Sequence, residues 1–250
     1  MNRLSFAALA LCIAGCTSVR ENAPISVLSA GAVEPGLAKA AEQFQRDTGN
    51  TVKIQFGTAP QLAKRLADGE KADVLIIPPG ALDEEIKAGN VSAQTRTPLG
   101  RVGVGVVVRT GASNPDVSSV DALKRALLGA DSVVYNTASS GLYLEKLFDK
   151  MGIGAQLKAK TTRYPNGAQV LEHVIKGKGN EIGFGAITEI RQYEPKGLKL
   201  VGPLPAEVQN YTSYAAGVMT AAPTPDVARD FVRYLGTPAA KAIFSSAGIE

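Results

Sequence analysis

Four short segments of small and polar residues open predicted helices, and their backbone N–H groups could bind an anion. The segments are 31–33, 58–60, 139–141 and 166–168, and they begin with Gly31, Thr58, Ser139 and Asn166. The first N–H groups of a helix lack intrahelical partners and carry a partial positive charge. Such groups bind phosphates and carboxylates without any Arg or Lys. We therefore predict an anion site built from these four turns.

Side chains that support other chemistry are scarce. The chain contains two Cys and one His, which is too few for a Cys/His zinc site, a haem attachment motif or a disulfide framework. A Ser-His-Asp triad would have to use His173, and neither a G-x-S-x-G elbow nor a Walker loop occurs. We expect His173 to be an exposed or capped side chain. The sequence thus predicts no catalytic residue, no metal, no cofactor and no enzyme activity.

Strands and helices alternate along the chain, as they must if the four turns are to meet. Short β-branched runs at 25–28, 51–56 and 73–77 alternate with helix-period stretches, which is typical of a βαβαβ unit. A long apolar strand at 103–108 is followed by a second α/β series. A further strand at 211–219 precedes two closing helices. Because ligands bind beyond the carboxyl ends of the strands in open α/β sheets, we expect the turns to share one cleft.

Two crossing segments, near 99–103 and 202–206, divide this pattern into two units. We predict an α/β fold with two lobes joined by these segments. Domain 1 is expected to be discontinuous and to comprise 24–100 and 205–250, and domain 2 is expected to comprise 101–204. Such an arrangement can close around a ligand by a hinge motion.

Length and charge exclude several classes of protein. A chain of 250 residues that is 45% hydrophobic can bury the core of one large or two modest domains. Its 27 Lys and Arg exceed its 23 Asp and Glu by only four charges, and the basic residues form no run. We therefore expect no nucleic-acid partner.

The N-terminus predicts export. Residues 1–15 read as a signal peptide, because one positive charge precedes an apolar stretch at 4–11 that is too short to span a bilayer. Residues 13–16, Ile-Ala-Gly-Cys, resemble the bacterial lipobox, so we predict a lipid anchor on Cys16 and a polar tether over 16–23. The alternative is ordinary cleavage with Cys16 incidental.

Several segments, taken in order, resemble one known family. They are SAGAV at 29–33, FGTA at 56–59, GEKADV at 69–74, SGLY at 140–143, IGF at 182–184 and PAA at 238–240. In this order and spacing the chain resembles type II periplasmic solute-binding proteins, most closely the molybdate-binding components of ABC importers. The resemblance covers nearly the whole mature chain. It implies the same two-lobed fold and a ligand between the lobes.

The resemblance also implies an oxyanion site, which falls on Ala32, Ala59, Ser140, Ala168 and Ala186. Members of the family usually offer hydroxyls at the first two positions and a tyrosine at the last, whereas this chain has alanine at all three. Each lost hydrogen bond to a charged group costs about 1.5 to 3 kcal/mol. Either the ligand is a larger anion, such as a small organic acid, or the alignment is out of register by one residue.

The functional hypothesis is an extracytoplasmic solute-binding lipoprotein of an ABC transporter in the periplasm or cell envelope. Its ligand would be a small anion, namely molybdate, tungstate or an organic acid, and hinge closure would stabilise the form that docks on the ABC permease. An envelope sensor or adhesin-like lipoprotein with the same fold is the alternative. Arg163, next to the fourth turn, either reaches the cleft or lies solvated on the surface.

Overall fold

The computed structural model describes residues 24–250. The predicted signal peptide (1–15), the lipidation site at Cys16 and the tether (16–23) therefore lie outside the described residues. Within the described part of the chain, no helix is both long enough and apolar enough to cross a membrane.

A single mixed sheet organises residues 24–250. Its strands are β1 (Ile25–Ala30), β2 (Val52–Gly57), β3 (Val74–Ile77), β4 (Thr97–Arg109), β5 (Ser132–Asn136), β6 (Thr161–Tyr164), β7 (Glu181–Ala186), β8 (Leu198–Pro203) and β9 (Tyr211–Val218). Their order is β2-β1-β3-β9-β4-β7-β5-β6, and β8 pairs with the second half of β4 on the edge opposite to β7. The βαβαβ start predicted from the sequence is confirmed, since β1 pairs in parallel with both β2 and β3.

Helices cover the faces of this sheet. They are α1 (Glu34–Thr48), α2 (Ala59–Ala67), α3 (Pro79–Lys87), α4 (Val120–Gly129), α5 (Ser139–Lys150), α6 (Gly154–Lys158), α7 (Gly167–Lys176), α8 (Ile187–Tyr193), α9 (Pro225–Leu235) and α10 (Pro238–Ser246). In α1, Leu37, Ala40 and Phe44 share one face and are buried, as their helical spacing predicts. The helix ends at Gly49, whose φ of 75° suits a residue without a side chain.

Strand β4 joins the two halves of the molecule. Its first half, from Thr97 to Gly103, pairs with β9, and its second half pairs with β7 and β8. We call the half containing β1, β2, β3 and β9 lobe 1, and the half containing β5 to β8 lobe 2. The expected two-lobed α/β fold with two crossing segments is confirmed. The domain boundaries at 100/101 and 204/205 stay a prediction.

A glutamine holds the two crossing segments together. The Gln209 side chain accepts a hydrogen bond from the Val104 N–H at 3.0 Å and donates one to the Val104 carbonyl at 3.1 Å. Gln209 precedes β9, and Val104 is the point at which β4 exchanges its partners. The amide therefore satisfies backbone groups of β4 where the strand passes from one lobe to the other.

Asp73 has a structural role. Its side chain is buried before β3 and accepts four hydrogen bonds, from the N–H and hydroxyl groups of Ser26 and Thr224. Burial alone would raise the pKa of this carboxyl, but the four donors outweigh burial and hold the pKa below its ordinary value. Asp73 thus ties the N-terminal strand to the segment that enters α9.

Residue spacing alone predicts a helix over 142–151 and gives no signal for helix α6 or strand β6. In the structure α5 begins three residues earlier than that, at Ser139. Ser and Gly are poor helix formers, so the first turn of α5 gives little periodic signal. The side chain of Asn136 stabilises that turn, because it accepts hydrogen bonds from the N–H groups of Ala138 and Gly141.

Candidate functional site

The cleft between the lobes contains two adjoining chambers. The small chamber, of about 290 Å³, is lined by the starts of α2 and α5, the turn at Gly31–Val33 and the end of β7. The large chamber, of about 540 Å³, lies along α2, α8 and the start of α7. This volume falls in the range of about 300 to 1,000 Å³ that is typical of small-molecule sites. Five residues line both chambers: Gly31, Gly57, Thr58, Gly167 and Glu189.

Each residue proposed from the sequence as a ligand contact lines one of the chambers. The small chamber contains Gly31, Ala32, Thr58, Ala59, Ser139, Ser140 and Ala186. The large chamber contains Asn166 and Ala168, and it shares Gly31 and Thr58. Two lobe 1 turns and two lobe 2 turns therefore face one cleft. That these residues bind a ligand stays a prediction.

Side chains already occupy some of the amide donors at these turns. The Asn136 Oδ1 atom accepts from the N–H groups of Ala138 at 2.9 Å and Gly141 at 3.3 Å, and its amide nitrogen donates to the Ser140 hydroxyl at 3.1 Å. The N–H groups of Ser139 and Ser140 take no part in this cap. The start of α5 thus offers an anion fewer free donors than a bare helix terminus would.

The starts of α2 and α7 are also capped. The Gln61 side chain accepts hydrogen bonds from both the N–H and the hydroxyl of Thr58, and the Asn166 side chain accepts from the N–H of Gln169 at 3.0 Å. Thr58 and Asn166 are therefore helix caps, the ordinary role of these residue types. The backbone N–H groups of Ala59 and Ala168 donate to neither of these side chains, so they remain available to an anion.

Glu189 is the functional candidate that sequence reasoning missed. It lies in the first turn of α8, and its carboxyl projects to the junction of the two chambers. A Cβ atom at Gly31 would lie 2.7 Å from Glu189 Oε1, and one at Gly167 would collide with Oε2. The carboxyl therefore fits between a glycine of lobe 1 and a glycine of lobe 2.

The environment of Glu189 favours the protonated acid. Among residues 24–250 no hydrogen-bond donor or cation pairs with its carboxyl. Burial first, and then the nearby negative charge of Glu34, raise the pKa of Glu189 from 4.5 to about 7. Burial also raises the pKa of Glu34, against the opposing effect of Lys196. A carboxyl with a pKa near neutrality can both accept and donate a proton at physiological pH.

Buried Tyr214 of β9 completes the wall on the side of lobe 1. It is 8% exposed and lines the small chamber. Burial and the neighbouring Glu189 raise the pKa of its phenol, so the hydroxyl stays protonated. Tyr214 is thus a neutral hydroxyl near the carboxyl of Glu189.

The cations of the large chamber are held by acidic partners. Arg65 binds Glu70 at 2.5 Å and also contacts the Gln55 side chain, and Lys64 pairs with Asp68 at 2.7 Å. Both cations lie on α2 and face the opening of the chamber. They supply positive charge near the cleft without reaching the carboxyl of Glu189.

Two other candidates lie away from the cleft. Arg163 pairs with Glu145 at 3.2 Å and lies over the ring of Tyr135, so it does not reach either chamber. The Nδ1 atom of His173 is 2.9 Å from the Tyr164 hydroxyl, which satisfies the imidazole as expected.

Comparison with known proteins identifies the family. The family model described as bacterial extracellular solute-binding protein matches residues 25–250, so the chain belongs to this family. A relative from Pseudomonas sp., named aconitate isomerase, is 31% identical over 252 residues, which is 97% of this chain and 94% of that protein. The molybdate-binding protein ModA of Haemophilus influenzae is 24% identical and covers 99% of this chain and 98% of its own length.

A solved structure shares the fold. The periplasmic molybdate-binding protein of Azotobacter vinelandii superposes with a TM-score of 0.75 at 19% identity, covering 90% of this chain and 98% of its own. The resemblance to type II periplasmic solute-binding proteins that the sequence motifs indicated is thereby confirmed.

The prediction that the chain is not an enzyme is wrong, because the Pseudomonas relative carries the name of an isomerase. Motifs for a catalytic triad, a Cys/His metal site or a nucleotide loop do not occur in the sequence, but an isomerase that moves a proton needs only one well-placed acid–base group. Sequence offers one weak signal for Glu189, namely an acidic residue in the helical turn that follows a buried strand ending in Gly185 and Ala186.

The raised pKa of Glu189 predicts how stability depends on pH. The folded protein keeps its proton up to about pH 7, whereas the unfolded chain ionises near 4.5. The wild type therefore loses stability as pH rises through this window, by up to about 3 kcal/mol. The variant Glu189→Gln stays neutral, so we expect it to match the wild type near pH 5 and to be the more stable near pH 8.

Denaturant unfolding at the two pH values measures this difference. Glu42→Gln, which alters an exposed carboxyl on α1, serves as the control and should show no such divergence. Equal stability of the wild type and Glu189→Gln at both pH values would contradict a raised pKa of Glu189.

Proposed function

We propose that this chain binds a small unsaturated organic acid with several carboxylates in the cleft and moves a proton within it, as an isomerase of the aconitate type. The observation that carries the proposal is the Glu189 carboxyl at the junction of the two chambers, with a pKa of about 7. The Pseudomonas relative named aconitate isomerase supports the choice of substrate.

The chemistry needs one acid–base group and no redox partner. Ionised Glu189 takes a proton from the CH₂ carbon of the substrate, and the C–H electron pair spreads over the adjoining C=C bond. Protonated Glu189 then returns a proton to the far carbon of that bond. The double bond has moved by one position, and the base is regenerated.

Backbone donors have a defined task in this scheme. During proton transfer, negative charge builds up on the substrate carbon and on the carboxylate next to it. N–H groups at the turns of Ala32, Ala59, Ser140 and Ala168 would bind that carboxylate, and fixed donors in a water-poor cleft stabilise developing charge strongly. Lys64 and Arg65 at the opening of the large chamber would attract a second carboxylate.

Glu189 also bears on the choice between an organic acid and a metal oxyanion. A molybdate-like anion carries no C–H proton that Glu189 could take, whereas the CH₂ group of an unsaturated organic acid does. Alanine at positions 32, 59 and 186 removes hydroxyl donors and enlarges the small chamber. These features favour the carboxylate ligand.

A molybdate-like oxyanion, molybdate or tungstate, is the second candidate ligand. The small chamber supports it, because Ala32, Ala59, Ser139 and Ser140 all line this one cavity. The Haemophilus relative named as a molybdate-binding protein supports the same reading. In this case the chain would deliver its ligand to an ABC permease, with hinge closure as the signal for docking.

We also propose that Cys16 carries a lipid anchor and that the folded lobes lie in the cell envelope. Support comes from the sequence Ile-Ala-Gly-Cys at 13–16 and from membership in an extracellular family.

Metabolic labelling with a fatty-acid analogue tests the anchor. The wild type should incorporate label and partition with membranes, and Cys16→Ser should do neither. Cys12→Ser, which alters the other cysteine, is the matched control and should behave as the wild type. Label retained in Cys16→Ser would remove the proposed anchor site.

Activity and binding are tested on the same preparation. Purified protein incubated with cis-aconitate should form trans-aconitate, followed by proton NMR, and Glu189→Gln should be slower by about 10²- to 10⁴-fold. Both proteins should show a thermal shift with aconitate, since the substitution preserves the shape of the cleft. The control Glu42→Gln should retain the wild-type rate.

The contradicting outcomes are distinct. A thermal shift with molybdate or tungstate, together with none from aconitate and no isomerisation, would favour the oxyanion candidate. Unchanged isomerisation in Glu189→Gln would remove Glu189 from the mechanism.

A further inference from the structure

A buried hydroxyl next to Glu189 connects the two lobes. Thr188 Oγ1, in lobe 2, donates a hydrogen bond of 2.6 Å to the carbonyl of Ala32, in the lobe 1 turn Gly31–Val33. Thr188 is 1% exposed and Ala32 is 6% exposed, and 156 positions of the chain separate them. The bond therefore joins α8 to lobe 1 in a place that water does not reach.

This bond adjoins both surfaces that enclose the Glu189 carboxyl. Ala32 follows Gly31, whose missing side chain makes room for Oε1, and Thr188 precedes Glu189 on α8. Oε2 lies against Gly167 at the start of α7, in lobe 2. If α8 shifted relative to the turn at Gly31–Val33, the carboxyl would leave the junction of the chambers. The Thr188–Ala32 bond opposes such a shift.

We propose that Thr188 is a positioning residue that fixes Glu189 between the lobes for proton transfer. This inference rests on the proposed function in so far as it concerns activity. Its geometric part, the placement of the Glu189 carboxyl, holds for any ligand. Thr188 lines neither chamber, so its effect passes through Glu189 rather than through contact with the substrate.

Loss of the hydroxyl should lower the rate more than the affinity. In Thr188→Val the side chain keeps its shape but cannot donate to Ala32, and a displaced acid–base group lowers kcat by about tenfold to a hundredfold. KM should change less than kcat, because only the Ala32 turn among the proposed backbone donors is hydrogen-bonded to Thr188, and those at Ala59, Ser140 and Ala168 are not. Thr188→Ser keeps the hydroxyl and should restore most of kcat.

A matched variant separates positioning from simple loss of a hydrogen bond. The Thr161 hydroxyl also donates to a backbone carbonyl, that of Leu157, at 2.9 Å, and it lies away from both chambers. Thr161→Val makes the same chemical change and should leave kcat unaltered. An equal fall of kcat in Thr161→Val and Thr188→Val would assign the effect to general destabilisation and overturn the proposal.

The pH dependence of unfolding gives a readout that does not require activity. The charged and titratable groups that face Glu189 are Glu34 on α1, Tyr193 on α8 and Tyr214 on β9, and Lys196 faces Glu34. None of these is altered in Thr188→Val. Release of the carboxyl into solvent should abolish the loss of stability between pH 4.5 and about 7 expected for the wild type.

The outcomes distinguish the two proposals. If the wild type isomerises no acid but Thr188→Val still loses this pH dependence, the proposed function fails and the positioning role stands. If the wild type is active and Thr188→Val retains both the wild-type kcat and the wild-type pH dependence, the positioning role fails and the proposed function stands.

Discussion

The carboxyl of Glu189 has no counter-ion in the described part of the chain, and the geometry of the cleft depends on that constraint. A half-buried acid without donors or cations gives up its proton less readily than a solvated one, because ionisation would place an unpaired charge in a medium of low dielectric constant. The neighbouring carboxyl of Glu34 adds to this effect. A solute that brings a proton or exchanges one with Glu189 is therefore better matched to the cleft than a permanently ionised one.

The two lobes together create this environment. Gly31 supplies space from lobe 1 and Gly167 from lobe 2, and neither position admits a Cβ atom while the carboxyl is in place. Strand β4, shared by both half-sheets, and the Gln209 amide that holds it at Val104 fix how the lobes join. A motion that separates the lobes would therefore change the solvation of Glu189.

Periodic apolar patterns were sufficient to predict the architecture. The stripe of Leu37, Ala40 and Phe44 in α1, the apolar run of β4 and the βαβαβ start each reflect burial against the sheet, and each was found in the structure. The turns at the starts of the helices could also be predicted from the sequence, because small residues that follow a strand indicate a turn. The spacing of apolar residues along the chain is therefore enough to predict its helices and strands.

The chemistry of the site is not local in this sense. The Asn136 side chain accepts hydrogen bonds from backbone N–H groups at the start of α5, so fewer of these N–H groups remain available to a ligand. The spacing of residues in the sequence does not predict this cap. Glu189 and Thr188 gain their roles only from contact with a turn about 157 residues earlier. The helix starts that line the cleft can therefore be predicted from the sequence, whereas the position of Glu189 between them depends on how the two lobes pack.

Infrared difference spectroscopy of the ligand-free protein tests the central claim most directly, because it observes the proton on Glu189 itself. The spectrum of the wild type minus that of Glu189→Gln should contain the C=O stretch of a protonated carboxyl, which disappears as pH rises with a midpoint of about 7. A band that is already lost near pH 4.5, the ordinary value for a solvated glutamate, would contradict the account.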